Sequence, residues 1–193
     1  MKKWTMVILL VGLAYGLGGQ AAETPLNWPG VETAWKTVAA NLSDTAAIDQ
    51  FLTLLPATGK AAGIAGEGAA TVALIGQSIS ALDNLIAGTG EPSAVRLCLG
   101  LLTLAPAEME TRLYRIVGGA IPYNPRGFLS ELNLQRPRVP SLEDLLGSYR
   151  FDMPGDKAGQ QIEKKLRYNV IDAVEDKALK DIKAECLKVL KKL

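Results

Sequence analysis

The sequence predicts an all-α protein, a single domain of about eight or nine short antiparallel helices. Along most of the chain, apolar residues recur at spacings of three and four, as one face of a helix requires. Alanine, leucine and glycine are abundant and aromatic residues make up only 6% of the chain, which favours closely packed helices over a sheet. Proline and glycine divide the chain into segments of helical length.

The first 21 residues have the three parts of a secretory signal peptide. Two lysines precede an uncharged, mostly apolar run over residues 4–17, which is short for a helix that spans a bilayer. Gly19 and Ala21 then place small residues at the −3 and −1 positions of a cleavage site. We therefore expect cleavage after Ala21 and a periplasmic or secreted protein. An uncleaved anchor is the alternative.

Residues 22–193 are predicted to form the helical domain. After an extended lead, a helix over residues 31–41 carries one apolar stripe. Ser43 is the expected N-cap of a second helix, which ends at Pro56. These signals predict an antiparallel helix pair at the start of the domain.

Residues 58–87 are rich in glycine and alanine in their first half and have a strong helical pattern of apolar residues in their second half. Because glycine costs about 1 kcal/mol relative to alanine in a helix, the first half requires a compensating reason. Close packing or partial fraying of the helix is the first interpretation. Membrane insertion through contacts between small residues is the alternative, although the uncharged run over 68–82 is too short to span a bilayer.

The middle of the chain carries clear helix starts. Pro92 suits the first position of a helix that is apolar on nearly all sides, which we place at the domain centre. Pro106 breaks this region and starts a helix over residues 107–120. Asn124 and Ser141 are the expected N-caps of two further short helices. Residues 151–155 form a predicted turn.

Residues 156–193 are highly charged and predict a C-terminal helical hairpin that closes the core. Seven residues recur at every fourth position: Leu166, Val170, Val174, Ala178, Ile182, Cys186 and Leu190. Such a stripe drifts around a helix of 3.6 residues per turn, so one straight helix cannot bury all of it. We expect a break near 175–177, where Asp176 is placed to cap a new start. A coiled-coil arm is the alternative.

A short stretch of the chain occurs twice, fifty residues apart. Residues 52–57 read LTLLPA and residues 102–107 read LTLAPA. Successive helix pairs with proline or glycine corners resemble, in outline, a HEAT-like array of helical hairpins. A compact irregular bundle is the other architecture that this pattern allows.

Charge is distributed unevenly along the chain. Residues 22–110 contain three basic and nine acidic residues, a net charge of −6, and residues 111–193 contain sixteen and eleven, a net charge of +5. Either the basic half meets an anionic partner, or the two halves face each other or are simply solvated. Arg112, Arg115 and Arg126 are the candidate partner-binding residues, because a planar guanidinium suits carboxylates and phosphates. No basic stripe is interleaved with aromatic residues, which argues against nucleic acid.

The chain contains no histidine, which removes the commonest general base and the commonest zinc ligand. Its two cysteines, Cys98 and Cys186, are too far apart in sequence to form a CxxC redox or zinc motif. In an oxidising compartment they predict a disulfide; two buried helix thiols are the alternative.

No group of carboxylates has the pattern of a catalytic site. Glu108 and Glu110 are two residues apart, which places them about 200° apart around a helix. Glu67 stands alone among glycines, as a pocket carboxylate or, more simply, as a solvated position. The phosphate-binding loop pattern is also absent, since GIAGEG lacks the lysine it requires.

These observations favour an exported helical interaction module without catalysis, cofactor or metal, which binds a protein partner as an adaptor, scaffold component or inhibitor. The alternative is a lipid- or membrane-directed protein that acts through residues 58–87.

Processing after Ala21 should remove residues 1–21. Intact-mass spectrometry of the protein recovered after export should give the mass of residues 22–193. The control Ala21→Arg, which puts a large charged side chain at the −1 position, should keep the leader. A full-length mass for the unmodified protein would show that the leader is an anchor.

Overall fold

The computed structural model describes residues 25–149 and 156–193, and no strand occurs among them. The predicted leader and the predicted turn over 151–155 lie outside the described residues. The helical segments are α1 Trp28–Ala40, α2 Thr45–Thr53, α3 Ala69–Gln77, α4 Ile79–Ile86, α5 Pro92–Leu101, α6 Ala107–Gly118, α7 Pro125–Gln135, α8 Leu142–Gly147, α9 Lys157–Asp172 and α10 Lys180–Lys192. Since α3 and α4 run as one 18-residue helix, the described residues form nine helices, which confirms the predicted fold class.

Helix α5 lies at the centre of the bundle. It packs against two helices that precede it in the chain, α2 and α4, and against two that follow it, α6 and α7. All but its first residue, Pro92, and Arg96 are buried, as expected for a helix that is apolar on nearly all sides. The side chain of Arg96 extends from this helix to two carboxylates. It donates to Glu131 at 2.7 Å and to Asp49 at 2.6 Å. Hydrogen bonds to these carboxylates raise the pKa of Arg96.

The packing of α5 is compatible with both predicted architectures. In an array of helical hairpins, adjacent hairpins are in contact, so a helix packs against helices two positions away as well as against its immediate neighbours. With α3 and α4 counted as one helix, α2 and α7 are each two positions from α5, and α5 contacts both of them as well as α4 and α6. The described residues therefore form one all-helical body around α5, which fits an irregular bundle and a HEAT-like array of helical hairpins alike.

The glycine-rich segment over residues 59–68 is a series of turns, which corrects the prediction of a helix there. Gly59 and Gly63 have φ angles of 71° and 75°, in the left-handed region that glycine adopts without strain. The amides of Gly66 and Gly68 both donate to the carbonyl of Gly63, at 3.0 and 2.9 Å. The glycines thus build a compact turn, and the helix begins only at Ala69.

This turn covers the C-terminal end of α5. Lys60 donates from Nζ to the carbonyls of Leu102 and Ala105, at 2.7 and 2.9 Å, and forms an ion pair with Glu110. The Ala61 amide donates to the carbonyl of Thr103 at 2.9 Å. Leu102 is the C-cap of α5, and Thr103 and Ala105 lie in the buried turn that follows it. Lys60 and Ala61 therefore supply donors to carbonyls that are removed from water just beyond the helix end.

The first two helices begin at different residues from those predicted. Trp28 opens α1, and Asn27 caps it by accepting from the Gly30 amide at 3.3 Å. Helix α2 is capped by Asp44 rather than by Ser43, because the Asp44 carboxylate accepts from two amides of the first turn. Trp28 is helical because its indole is buried and donates to the carbonyl of Ala62 at 3.2 Å.

The later helix starts are as predicted. Pro92 opens α5, and Asn124 caps α7 by accepting from the Gly127 amide at 2.9 Å. Ser141 caps α8 by accepting from the Asp144 amide at 3.0 Å. Each of these signals acts within three or four residues, so it can be recognised locally.

The C-terminal hairpin has its break where it was predicted. Helix α9 ends at Asp172, and Asp176 caps a short 3-10 turn that leads into α10. Of the predicted stripe, Ile182, Cys186 and Leu190 are buried on α10, which packs against α7, α8 and α9. Leu166 is 45% exposed, so the stripe does leave the core, as the drift of a four-residue repeat requires.

Gly68→Ala should lower the free energy of unfolding by about 1–3 kcal/mol, because the added methyl group would overlap the indole ring of Trp28. The control Gly66→Ala, whose methyl group would meet only the Gly63 carbonyl oxygen at 3.8 Å, should change it by less than about 1 kcal/mol. Urea denaturation followed by far-ultraviolet circular dichroism measures both. Equal losses in the two variants would show that Trp28 does not require this close approach.

Candidate functional site

The open end of the α9–α10 hairpin has the strongest features of a binding surface among the described residues. Six lysines lie in the first part of α9 and the last part of α10: Lys157, Lys164, Lys165, Lys188, Lys191 and Lys192. No ion pair joins any of them to a described acid. We call these six lysines, together with Ile162 and Leu166, the lysine end.

Ile162 and Leu166 give the lysine end an apolar ridge. Their side chains are 71% and 45% exposed, and a spacing of four residues places them one above the other on α9. The other large apolar residues that are exposed are Leu54, Tyr123 and Leu134, which lie just after α2, in the loop between α6 and α7, and on α7. Only at the lysine end do two such side chains form a continuous patch on one described helix.

A shallow groove of about 230 Å³ runs beside this ridge, between α9 and α10. Three lysines border it, and the ring of Tyr168 forms one wall. The ammonium group of Lys191 lies 5.6 Å from the centre of that ring. The residues that line it are Gln161, Lys164, Lys165, Tyr168, Leu190 and Lys191.

The acids near the lysine end are engaged within the protein. Asp156 caps α9 by accepting from the Gly159 amide at 2.8 Å. Glu163 accepts from the buried guanidinium of Arg167 at 2.6 Å. Neither carboxylate is placed to neutralise the exposed lysines, so this end of the hairpin keeps its positive charge.

Arg167 anchors α9 to the rest of the bundle. It is completely buried, and its guanidinium donates to the carbonyls of Leu146 and Ser148, both at 2.9 Å. The guanidinium also lies 4.9 Å from the centre of the Tyr149 ring. Burial lowers the pKa of Arg167, although the neighbouring Glu163 carboxylate opposes this effect. The helix is thus fixed from its inner face, and its outer face is left for other contacts.

The three arginines predicted from the sequence lie on two different helices. Arg112 and Arg115 are exposed on α6, one turn apart, and no ion pair joins them to a described acid. Arg126 lies at the start of α7 and forms an ion pair with Asp176 at 3.0 Å. No described contact brings Arg126 to the other two, and partner binding by these arginines stays a prediction.

The two halves of the chain do not pair through their excess charges. Between described residues, the bases of the second half form ion pairs only with acids of the same half, as in Arg136 with Glu185 at 2.7 Å. The acid–base pair that crosses between the halves is Arg96 with Glu131, in which the acidic half supplies the base. Uncompensated positive charge therefore remains on the surface of the second half.

Of the carboxylates considered for catalysis, Glu110 alone enters a polar network. It binds Lys60 and accepts from the Tyr114 hydroxyl at 2.9 Å, and that hydroxyl accepts from the Ser141 amide at 3.3 Å. Burial and the Glu110 carboxylate raise the pKa of Tyr114, so its hydroxyl keeps its proton. Glu67 and Glu108 are exposed, on a turn and at the start of α6.

The network around Glu110 has the features of a structural link. The Lys60 ammonium has three N–H donors, and each has an acceptor: the Glu110 carboxylate and the carbonyls of Leu102 and Ala105. No proton of this lysine is left for a substrate. Among the described residues, no three His, Cys, Asp or Glu side chains are grouped in a way that could hold a metal ion.

The predicted disulfide between Cys98 and Cys186 is wrong, because both cysteines are free in the structure. Each is a completely buried residue of the core. Cys98 lies on α5 and Cys186 on α10, and the neighbours of α10 are α7, α8 and α9. The alternative of two buried helix thiols is the correct one.

The comparisons with known proteins give no relative for this chain: no family model, no curated protein and no solved structure matches it. Function is therefore argued from the surfaces themselves.

Neither cysteine should react with a thiol reagent in the native protein, and both should react after unfolding in guanidinium chloride without reductant. Burial raises the pKa of Cys98, and it raises that of Cys186 to about 12, so the reactive thiolates are not formed at about pH 8. Mass spectrometry after alkylation counts the labels. As a positive control, Ser80→Cys places a thiol at an exposed position and should be labelled in the native state. Absence of label after unfolding would reinstate the disulfide.

Proposed function

We propose that the protein is an exported helical binding module, an adaptor, scaffold component or inhibitor, that engages its partner through the lysine end. The observation that carries this proposal is the coincidence of two exposed apolar side chains with six lysines that have no described acid partner. A fold has no need to expose Ile162 and Leu166 on consecutive turns, and contiguous apolar surface of this kind is typical of binding sites.

Export is supported by the predicted leader over residues 1–21, and a role in binding is supported by the chemistry of the described residues. The chain contains no histidine, and the Glu110 network is occupied by structural partners. The grooves described in the structure are open and shallow. The groove between α6 and α8 is lined by Asp144 and Ser148, and the chain has no histidine that could serve there as a general base.

The alternative of a membrane-inserting segment has one observation in its favour. Ala69–Ile86 is long and apolar enough to cross a membrane by length and composition, and 33% of it is buried. However, five of its large side chains, Val72, Ile75, Ile79, Leu82 and Ile86, are at most 7% exposed and belong to the core, and Leu74 and Leu85 are partly buried against it. The exposed positions of this helix carry small or polar residues, so insertion would require the bundle to open.

The proposal is tested by recovery of a partner from the native envelope fraction with tagged, processed protein and mild crosslinking. Ile162→Gln together with Leu166→Gln should reduce the recovered partner at least about tenfold, because these side chains would lie at the centre of the contact. The matched control is Leu54→Gln with Leu134→Gln, which removes two leucines that are 41% and 61% exposed elsewhere.

Equal recovery by the ridge variant and the unmodified protein would refute the lysine end as the binding surface. Catalytic turnover of a substrate by the purified protein would refute the absence of catalysis. Since all four substituted side chains are at least 41% exposed, circular dichroism should show the same fold for both variants.

A further inference from the structure

The lysine end differs from the rest of the hairpin in the sign of its charge. Residues 156–166 and 186–193 carry six lysines and two acids, and both acids are engaged in a helix cap or with Arg167. The connecting end of the hairpin, residues 167–185, carries four bases and five acids. Positive charge is thus concentrated at the end that also carries Ile162 and Leu166.

We infer that the partner of the lysine end is an anionic lipid surface, on which α9 lies with the ridge inserted between headgroups. This inference rests on the proposed binding function and specifies the partner. Positive charge on the hairpin complements the negative charge of such a surface. Exposed apolar side chains flanked by lysines are the features by which helices bind at a membrane interface.

The type of cation favours a lipid surface over an acidic protein. All six bases within residues 156–166 and 186–193 are lysines. Their flexible side chains and compact charges attract many headgroups without requiring one geometry. The forked guanidinium groups that recognise single carboxylates lie elsewhere: Arg96, Arg126, Arg136 and Arg167 all bind acids within the bundle.

The shape of the surface leads to the same conclusion. Ile162 and Leu166 are exposed on α9, where they can enter a soft surface. The adjacent groove of about 230 Å³ is shallow and bordered by three lysines. Lysines of both helices lie at the end of the hairpin that carries the ridge, so their long side chains can reach headgroups around it.

The test is sedimentation of the processed protein with vesicles, after its mass has shown that residues 1–21 are absent. The vesicles are phosphatidylcholine alone, or phosphatidylcholine with about one third phosphatidylglycerol. Binding should occur to the anionic vesicles at about 0.05 M NaCl and should weaken strongly at about 0.5 M. Phosphatidylcholine alone should bind at least about tenfold less protein.

Two variants with the same change of net charge locate the surface. Lys165→Gln with Lys188→Gln and Lys192→Gln should reduce partitioning by about fivefold for each lysine removed. The control, Lys36→Gln with Lys177→Gln and Lys180→Gln, removes three exposed lysines elsewhere and should retain most of the binding. Ile162→Gln with Leu166→Gln should weaken binding in a way that low salt does not restore.

No binding to anionic vesicles at low salt overturns the inference, and so does an equal loss in the two lysine variants. If Ile162→Gln with Leu166→Gln loses a protein partner and the unmodified protein does not bind vesicles, the lipid partner is refuted and the proposed binding module stands. If the ridge variant keeps its partner and no vesicles bind, both fail.

Discussion

The burial of α5 is the constraint on which the other helices depend. A helix that is apolar on nearly all sides must be surrounded, and α2, α4, α6 and α7 supply that enclosure. Burial also removes water from the carbonyls of the C-cap and of the turn that follows α5, and Lys60 donates to two of them from the glycine-rich turn. The single charge within the helix, Arg96, requires two carboxylates from two other helices. The glycine turn and the ion pairs are consequences of placing one apolar helix at the centre.

The way in which α9 is anchored explains how the hairpin can carry the proposed binding surface. Helix α10 buries Ile182, Cys186 and Leu190 and completes the core, whereas α9 is fixed by Arg167 and Ile171. A buried arginine uses carbonyls and a carboxylate as its partners, so it fixes the position of a helix without requiring a broad apolar face. The opposite side of α9 is therefore free to carry Ile162, Leu166 and lysines, and the ion pairs of the second half leave those lysines uncompensated.

Much of the fold and part of the surface could be predicted from sequence. Helix starts at Pro92, Asn124, Ser141 and Asp176 depend on residues three or four positions away, and these predictions were correct. The starts at Trp28 and Asp44 were missed by one to three residues, the first because the indole is buried against a turn more than thirty residues later. The clustered lysines and the drifting apolar stripe of the hairpin indicate an exposed face in the sequence. Ile162 is not part of that stripe, so the stripe did not predict its exposure.

By itself the sequence determined the helical class, the order of the helices, the central place of α5 and the break before α10. Only the tertiary structure decided that residues 59–68 turn rather than continue a helix, and that Cys98 and Cys186 lie apart. It alone showed that Arg126 forms an ion pair with Asp176 and that Ile162 is exposed. The physical reason is range: caps and periodicity act over one helical turn, whereas close packing joins residues such as Gly68 and Trp28, forty positions apart.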